Sequence, residues 1–377
     1  MDDKLLSLVS EVIQRSTRQR WADAVLRDLL KRQGGLSRNQ SAAISRAVFS
    51  YYRWFGWLEP SGQMDEQIDR AKALAERFAQ QPASFSDDEL VARGVPRWLK
   101  EETEISPQWI RALQAEPRLW LRARRGQGKA LAEKLGDSHV LGEGLLSDIL
   151  EYRGGKDLFR TREFHVGEFE LQDLSSQAVG FVCAPLSGET WWDACAGEGG
   201  KTLHLSDLME NKGLIWATDR VAWRLEKFKR RAARARAFNY RTGIWEGGPK
   251  LATKTKFDGV LVDAPCSGIG TWQRNPQARW TTTLEDVKEL SKVQEQILVN
   301  VRPAVKPGGK LIYAVCTSAR SETDGVVDAF ERQCPEFKRL ELRDPLAASL
   351  GPERQLYLRP QRFGGNGMFI AAWRRGG

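Results

Sequence analysis

Hydrophobic positions in the first part of the chain recur with the spacing of α-helices. In three segments, apolar residues three and four positions apart would share one buried face: Leu5–Ile13, Ala22–Leu30 and Gln40–Trp57, with Phe55 on the buried face of the third. The pattern predicts an all-helical domain over residues 1–80.

The next ninety residues show shorter and more mixed patterns. The stretch Gln80–Ser84 reads as a break, Leu119–Arg122 has the composition of a strand, and Lys129–Leu135 has the spacing of a helix. These patterns predict a linker and a small α/β domain over residues 81–170.

From Glu189 onward, short apolar runs alternate regularly with helical segments. The predicted strands are Thr190–Trp192, Leu214–Thr218, Tyr240–Ile244, Phe257–Val262 and Gly309–Val315, and the helices between them include Lys201–Met209, Ala222–Ala237 and Leu284–Val301. This order specifies a doubly wound parallel sheet, and we predict a Rossmann-like α/β domain over residues 171–377.

Two of these strands end close to a cysteine. Phe257–Val262 leads into Asp263-Ala264-Pro265-Cys266, and Gly309–Val315 leads into Cys316. Residues just past the carboxyl ends of parallel strands face the ligand crevice, so both thiols should open into one cleft. A thiolate is a strong nucleophile, and the two contexts together favour chemistry over packing.

The turn after the first of these strands, Asp193–Thr202, is rich in glycine and small residues. Such a turn leaves backbone N–H groups pointing into the crevice. It has neither the Gly-x-Gly-x-x-Gly spacing nor that of a phosphate loop, and Asp219 ends the next strand, where an acid can accept ribose hydroxyls. A nucleoside cofactor with little or no phosphate fits, and S-adenosylmethionine is the candidate.

The composition of the chain indicates which classes of binding partner and cellular compartment to expect. The net charge of +9, from 58 Lys and Arg against 49 Asp and Glu, indicates a polyanionic partner. Five cysteines without Cys-x-x-Cys spacing indicate reduced thiols and no structural metal. The sequence has no apolar run as long as a signal-peptide core or a membrane span, so we expect a soluble, cytoplasmic protein without a membrane partner.

These motifs resemble those of the RNA cytosine-5 methyltransferases of the Nol/Nop/Sun family, most closely the bacterial RsmB-like ribosomal RNA enzymes. The resemblance covers nearly the whole chain. It rests on Trp21–Leu26 and Ala47–Arg53, which look like the family's NusB-like domain, on Leu171–Gln177 at the entry to the catalytic domain, and on the motifs Asp193–Thr202, Asp219, Asp263–Ser267, Arg274–Pro276 and Val315–Ser318.

The resemblance implies a role for each matching residue. Cys316 corresponds to the nucleophile that adds to C6 of cytosine, Cys266 to the thiol that helps to release the product, and Asp263 would lie between cofactor and base. The implied cofactor-binding residues are Cys195, Ala196, Gly197, Glu198, Gly199, Gly200, Lys201, Asp219, Arg224 and Asp263. The implied partner is RNA, with ribosomal RNA favoured over transfer RNA and an unstacked cytosine as the target, and we expect a monomer.

The chain departs from the family pattern at the cofactor pocket. Gly197-Glu198 stands where family members usually have Ala-Pro, which puts an acid beside the cofactor's carboxylate. The acid that would contact the adenine has no clear counterpart, and Trp245 or Glu246 is the candidate for that contact. These departures keep open a second function, a catalytically silent RNA-binding or ribosome-assembly factor on the same fold. A third, DNA cytosine-5 methylation, would need Cys266 as the attacking thiol.

Two basic segments are candidate tracks for an RNA backbone. The first is the helix within Arg220–Arg241, which could equally be a solvated outer face, and the second is the group Arg118, Arg122, Arg124 and Arg125.

Overall fold

A computed structural model gives the structure of the protein for residues 2–59, 61–251, 253–347 and 349–377. Its α-helices are α1 (Asp3–Arg15), α2 (Ala22–Arg32), α3 (Arg38–Arg53), α4 (Met64–Gln80), α5 (Asp87–Arg93), α6 (Pro107–Gln114), α7 (Gly128–Leu135), α8 (Arg162–His165), α9 (Leu174–Cys183), α10 (Gly200–Leu208), α11 (Ala222–Ala235), α12 (Pro276–Thr281), α13 (Leu284–Val301), α14 (Asp324–Gln333) and α15 (Pro360–Phe363). None of the helices in these ranges combines the length and hydrophobicity needed to cross a membrane.

The strands form two sheets. They are β1 (Leu119–Ala123), β2 (Ser138–Val140), β3 (Ile149–Tyr152), β4 (Phe169–Leu171), β5 (Thr190–Asp193), β6 (Leu214–Asp219), β7 (Tyr240–Ile244), β8 (Phe257–Asp263), β9 (Val305–Val315), β10 (Phe337–Arg339), β11 (Gln355–Leu358) and β12 (Met368–Arg375). The smaller sheet has the order β2-β3-β1-β4. The larger has the order β10-β12-β9-β8-β5-β6-β7, with β11 paired to β12.

Contacts divide the chain into two compact units. One comprises the described residues up to Pro117 together with Gly268–Asp286, and the other comprises Arg118–Ser267 and Val287–Gly377. The assignment of three domains with boundaries near residues 80 and 170 stays a prediction.

The first unit is helical, as its periodicity indicates. The apolar faces of α1, α2 and α3 are buried, and α3 begins with a capping box in which Ser37 and Gln40 each satisfy a backbone N–H of the other. The predicted end of the third helix at Trp57 is wrong. The helix ends at Arg53, and a 3₁₀ turn turns Phe55 outward, where it is 41% exposed.

A buried arginine from the inserted segment Gly268–Asp286 helps to hold this unit together. Arg279 is fully buried and donates hydrogen bonds to the carbonyl oxygens of Arg53, Gly94 and Leu113 at 3.4, 2.9 and 3.0 Å. Burial lowers the pKa of Arg279 to about 9, because no solvent stabilises the charge. Three separate chain segments therefore depend on one guanidinium.

Replacing Arg279 with alanine should leave these three carbonyl oxygens without their donor and open a cavity. We expect the free energy of unfolding to fall by about 3 kcal/mol or more, measured by urea unfolding of the full chain. Arg70→Ala is the control, because Arg70 is half-exposed and forms a surface pair with Glu59. Equal stability of the two variants would contradict the prediction.

The second unit carries the Rossmann-like sheet. Strands β7, β6, β5, β8 and β9 are parallel, and the central strands β5, β8 and β9 carry buried apolar runs, as expected where helices cover both faces. The doubly wound α/β prediction is confirmed for this part. The sheet is mixed, however, because β12 pairs antiparallel with β9 and β10, and the carboxyl-terminal strands extend the sheet beyond the predicted series.

Candidate active site

The two cysteines predicted to share a cleft lie side by side. Strands β8 and β9 are parallel neighbours with Asp263 opposite Ala314, so the turns that follow them meet at one edge of the sheet. The Sγ atoms of Cys266 and Cys316 are 3.3 Å apart, within hydrogen-bond distance for sulfur. Both side chains are only partly buried. Two thiols at this separation can exchange a proton directly.

The contact changes the acidity of Cys316. The hydrogen bond from Cys266 lowers the pKa of the Cys316 thiol, and Lys201 acts in the same direction, although burial and the Asp263 carboxylate oppose them. Cys316 therefore has more thiolate at neutral pH than an ordinary cysteine. This is the property that a nucleophile needs.

An ion pair lies close to the cysteines. Lys201 from the first turn of α10 donates to Asp263 at the end of β8, with 2.6 Å between Nζ and Oδ2. Burial alone would lower the pKa of Lys201, but the Asp263 carboxylate outweighs it and the net shift is upward. The lysine is therefore protonated and can supply a positive charge and a proton beside the thiols.

The glycine-rich turn between β5 and α10 folds tightly. Gly199 has φ of +81°, and a side chain there would meet the ring of Phe228 at 1.9 Å, so only glycine fits. Asp193, which ends β5, is fully buried. It accepts a hydrogen bond from the Thr202 hydroxyl at 2.7 Å. Burial raises the pKa of Asp193 to about 7.

Asp219 ends the neighbouring strand β6 and faces the same turn. Its carboxylate accepts hydrogen bonds from the backbone N–H groups of Gly197 at 3.0 Å and Val221 at 2.8 Å, and Arg224 lies 4.0 Å away. These contacts fix the carboxylate at the rim of the crevice.

One cavity of about 500 Å³ joins these features. It is lined by Ser176, Ala194–Glu198, Gly200, Lys201, Asp219, Arg220, Arg224, Trp245–Gly247, Asp263–Cys266, Val293 and Ile297. Of the residues predicted from the sequence, Gly199 does not line it because Gly199 faces Phe228, and Cys316 reaches it through Cys266. The remaining ten predicted residues line the cavity.

Two sequence departures have clear positions here. Glu198 lines the cavity, but its carboxylate pairs with Lys227 at 2.9 Å on the outer side. Trp245 is almost fully buried, with its ring 4.9 Å from that of Trp192 and its indole N–H donated to the Gly248 carbonyl at 3.0 Å. Trp245 therefore fills the core, while Glu246 is the acid that lines the cavity at this point.

The candidate basic tracks are partly used in internal ion pairs. Arg122 and Arg124 both pair with the buried Asp207, and Arg231 and Arg234 of α11 both pair with the buried Glu170. These four arginines are not available for an RNA backbone without losing their partners. On α11 the exposed cations are Arg224, Lys227, Lys229 and Arg230, of which Arg224, Lys227 and Lys229 also lie beside acids.

Sequence reasoning assigned no role to a second layer of polar side chains beneath the cysteine turns. Ser267, Gln294, Thr317 and Glu322 are buried there and hydrogen bond to one another. The residues lie in three separate segments, so no local pattern indicates that they meet. Within the described ranges, no group of three or more His, Cys, Asp or Glu could hold a metal ion.

The sheet order, the glycine-rich turn and the cavity at the strand ends define a Rossmann-like methyltransferase fold. The chain belongs to the family described as 16S rRNA methyltransferase RsmB/F, which its sequence matches over residues 181–374, just over half of its length. The resemblance to RsmB-like proteins read from the motifs is thereby confirmed.

Individual proteins agree with this assignment. The probable ribosomal RNA small subunit methyltransferase B of Bacillus subtilis (strain 168) is 36% identical over 223 residues, which are 58% of this chain and 50% of that protein. The chain thus spans about half the length of this curated relative.

Two solved structures share the fold. The crystal structure of PH0851 superposes with a TM-score of 0.80 at 21% identity, covering 100% of this chain and 99% of that one. The structure of NSun6 from Pyrococcus horikoshii with SFG gives a TM-score of 0.62 at 19% identity, covering 71% of this chain and 93% of that one.

Proposed function

We propose that this protein is an S-adenosylmethionine-dependent methyltransferase that modifies C5 of a cytosine in RNA, with 16S ribosomal RNA as the favoured substrate. The observation that carries the proposal is the 3.3 Å separation of the Cys266 and Cys316 sulfurs beside the Lys201–Asp263 pair. Family membership supports the reaction class and the RNA substrate. The name of the Bacillus relative supports ribosomal over transfer RNA.

The cavity has the features that S-adenosylmethionine needs. Its volume is within the range of small-molecule sites, and a side chain at Gly197 would meet no atom within 4 Å, which leaves room beside the backbone. The turn Cys195–Lys201 would hold the methionine part, and Asp219 with Arg224 the ribose. When bound, the cofactor supplies an electrophilic methyl group on a positively charged sulfur.

The first chemical role belongs to Cys316. Its thiolate adds to C6 of the cytosine, the C5–C6 double bond opens, and N3 takes a proton from the Lys201–Asp263 pair. The addition turns C5 into an enamine carbon, which is nucleophilic enough to accept a methyl group. Before the transfer, Asp263 keeps Lys201 protonated, so the proton that N3 takes is available.

Cys266 completes the reaction by releasing the product. Its thiol gives a proton to the departing Cys316 sulfur, and the resulting Cys266 thiolate takes the proton from C5. The C–H electrons restore the C5–C6 double bond, the C6–S electrons leave with Cys316, and the N3 proton returns to the Lys201–Asp263 pair. The hydrogen bond between the two sulfurs supports this relay, because no rearrangement is needed for proton transfer.

The RNA has candidate docking surfaces in both units. We infer that the helical unit is the NusB-like RNA-binding domain of the family, supported by its amphipathic helices and its motifs at Trp21–Leu26 and Ala47–Arg53. Arg230, an exposed cation of α11, is the one best placed for phosphates in the second unit. A monomer in the cytoplasm, where ribosomal RNA is found, is consistent with these features.

The contact of Glu198 with Lys227 favours the enzyme over the catalytically silent assembly factor. That alternative rests on Glu198, which would repel the cofactor's carboxylate, and on the missing acid at the adenine. The lysine 2.9 Å away offsets the negative charge of Glu198, and Glu246 lines the cavity where the adenine-contacting acid is expected. The proposal is tested by incubating the protein with methyl-labelled S-adenosylmethionine and 16S rRNA transcribed in vitro. We expect the labelled methyl group to be incorporated into the RNA, and bisulfite sequencing to show one protected cytosine. Cofactor binding without any methylation of RNA would favour the assembly factor.

Replacing Asp219 with asparagine should weaken the binding of S-adenosylmethionine. The amide loses one acceptor oxygen and sets a donor against the backbone N–H groups of the turn, so we expect the Kd for S-adenosylmethionine to rise about tenfold or more by isothermal titration. Glu226→Gln is the matched control, because Glu226 is exposed on α11 and forms a surface pair with Lys229. A Kd within twofold of the unmodified protein for Asp219→Asn would contradict the ribose assignment.

A further inference from the structure

A buried carboxylate lies beneath the two turns that carry the cysteines. Glu322 follows Cys316 by six residues, within a 3₁₀ turn, and is fully buried. Its Oε1 atom accepts a hydrogen bond from the backbone N–H of Ser267 at 2.8 Å, and its Oε2 atom accepts one from the Ser267 hydroxyl. The residue directly after Cys266 is therefore held at two points by one carboxylate.

A neighbouring amide holds the other side of Cys266. The Nε2 atom of Gln294 donates to Glu322 Oε1 at 2.9 Å and to the carbonyl of Pro265 at 2.9 Å. The residues immediately before and after Cys266 are thus tied to the same pair of side chains. The position of the Cys266 backbone depends on Glu322 from both directions.

The carboxylate also connects this turn to that of Cys316. The Ser267 hydroxyl lies 3.0 Å from the hydroxyl of Thr317, the residue after Cys316, and Tyr313 of β9 places its hydroxyl 2.7 Å from the Glu322 carbonyl and 2.9 Å from Gln294 Oε1. Strand β9 therefore anchors Glu322, and Glu322 anchors the Cys266 turn. The two sulfurs are kept 3.3 Å apart by this chain of contacts.

The partners of Glu322 require an acceptor. The Ser267 backbone N–H and the Gln294 amide are both donors to Oε1, and neither can accept in return. Burial raises the pKa of Glu322 while these donors oppose the shift. A glutamine in its place keeps the side-chain volume but has one acceptor oxygen where the carboxylate has two. Its N–H group then faces a donor, and at least one of these donors loses its hydrogen-bond partner.

We propose that Glu322 is a positioning residue for product release, which holds the Cys266 sulfur against Cys316. The inference rests on the proposed cytosine-5 mechanism and goes beyond it. Attack uses the Cys316 thiolate, and the Cys266 contact aids it only by lowering the Cys316 pKa. Release instead requires direct proton transfer between the two sulfurs, and therefore the sulfur-to-sulfur distance that Glu322 maintains. Loss of Glu322 therefore impairs the second half of the reaction more than the first.

The experiment measures turnover and covalent protein–RNA complex on denaturing gels for Glu322→Gln with Cys266 intact, using 16S rRNA transcribed in vitro. We expect turnover about tenfold or more below that of the unmodified protein, with the complex accumulating although both cysteines are present. Glu322→Asp, which retains the acceptor on a shorter arm, should restore part of the turnover. Glu331→Gln on α14, where Glu331 pairs with Arg339 and Trp373 away from the cysteine turns, should match the unmodified protein.

Ser267→Ala provides a second reading in case Glu322→Gln does not fold. It removes one donor to Glu322 and the contact to Thr317 but keeps the backbone N–H, so a smaller excess of complex is expected. Wild-type turnover in Glu322→Gln overturns the proposal, as does lost turnover in the folded variant without excess complex. A parallel Cys266→Ala sample separates two kinds of failure. If Cys266→Ala forms no covalent complex, the proposed mechanism itself is wrong. If Cys266→Ala forms the complex and Glu322→Gln does not, only the role of Glu322 is refuted.

Discussion

Alanine at position 316 should abolish both RNA methylation and the covalent protein–RNA complex. Without the Cys316 sulfur nothing adds to C6, and the C5 carbon of an intact cytosine ring is too electron-poor to accept a methyl group. We expect turnover to fall by at least about 10³-fold, since loss of a covalent nucleophile has effects of this size. Methyl incorporation into 16S rRNA and denaturing gels measure the two losses.

A suitable control for Cys316→Ala removes a thiol elsewhere. Cys334 lies after α14, contacts Arg302 and is not among the residues that line the cavity, so Cys334→Ala should retain turnover. The affinity of Cys316→Ala for S-adenosylmethionine should also be unchanged, because Cys316 is not among the residues that line the cavity. Residual methylation above a few per cent would show that another group attacks the base.

Alanine at position 266 should have the opposite effect on the complex. Cys316 can still attack, and C5 can still accept a methyl group, but the relay that returns a proton to Cys316 and removes the C5 proton is gone. We expect the covalent complex to accumulate while turnover falls about 10²- to 10⁴-fold, the usual contribution of a positioned proton-transfer group. If the protein instead used Cys266 as the attacking thiol, as the DNA-type alternative requires, Cys266→Ala would form no complex.

The same variant should change the titration of Cys316 in the absence of RNA. The Cys266 hydrogen bond lowers the Cys316 pKa, so the thiolate is present above a midpoint lower than that of an ordinary thiol and is lost as the pH falls through it. Removing Cys266 should move the midpoint of iodoacetamide labelling at Cys316 to higher pH, read peptide by peptide. An unchanged midpoint would mean that the sulfur contact does not control the acidity.

The site could be predicted from the sequence where local pattern determines position. One apolar run leads into Asp263-Ala264-Pro265-Cys266 and another leads into Cys316, which places both cysteines at the carboxyl edge of a parallel sheet, and the structure brings their sulfurs to 3.3 Å. The position of Asp219 in the crevice was predicted in the same way, from the end of its strand. These inferences needed only the period of a strand and the rule that strand ends share an edge.

Other features depend on contacts between distant segments, which local pattern does not encode. Glu322 is surrounded by donors from the Cys266 turn and from α13, and its sequence context is that of an exposed acid. Trp245 was a candidate for the adenine contact, yet the ring of Trp192 and the Gly248 carbonyl hold it in the core. The basic run at Arg122 and Arg124 resembled a surface track, but the buried Asp207 draws both side chains inward.

Sheet extension was missed for a similar reason. Strand β12 forms a long antiparallel pairing with β9, and an antiparallel strand added to a parallel sheet has no distinctive pattern of its own. The segment Gly268–Asp286 reads as part of the catalytic domain in the sequence, while its contacts belong to the helical unit through Arg279.

The most direct measurement identifies the atom that bonds to the base. The Cys266→Ala protein is incubated with S-adenosylmethionine and 16S rRNA transcribed in vitro, digested with protease and nuclease, and analysed by tandem mass spectrometry. Our account predicts a methylated cytosine nucleotide attached to the peptide that contains Cys316. A nucleotide attached at any other residue, or a folded protein that binds the cofactor and RNA without forming an attachment, would contradict it.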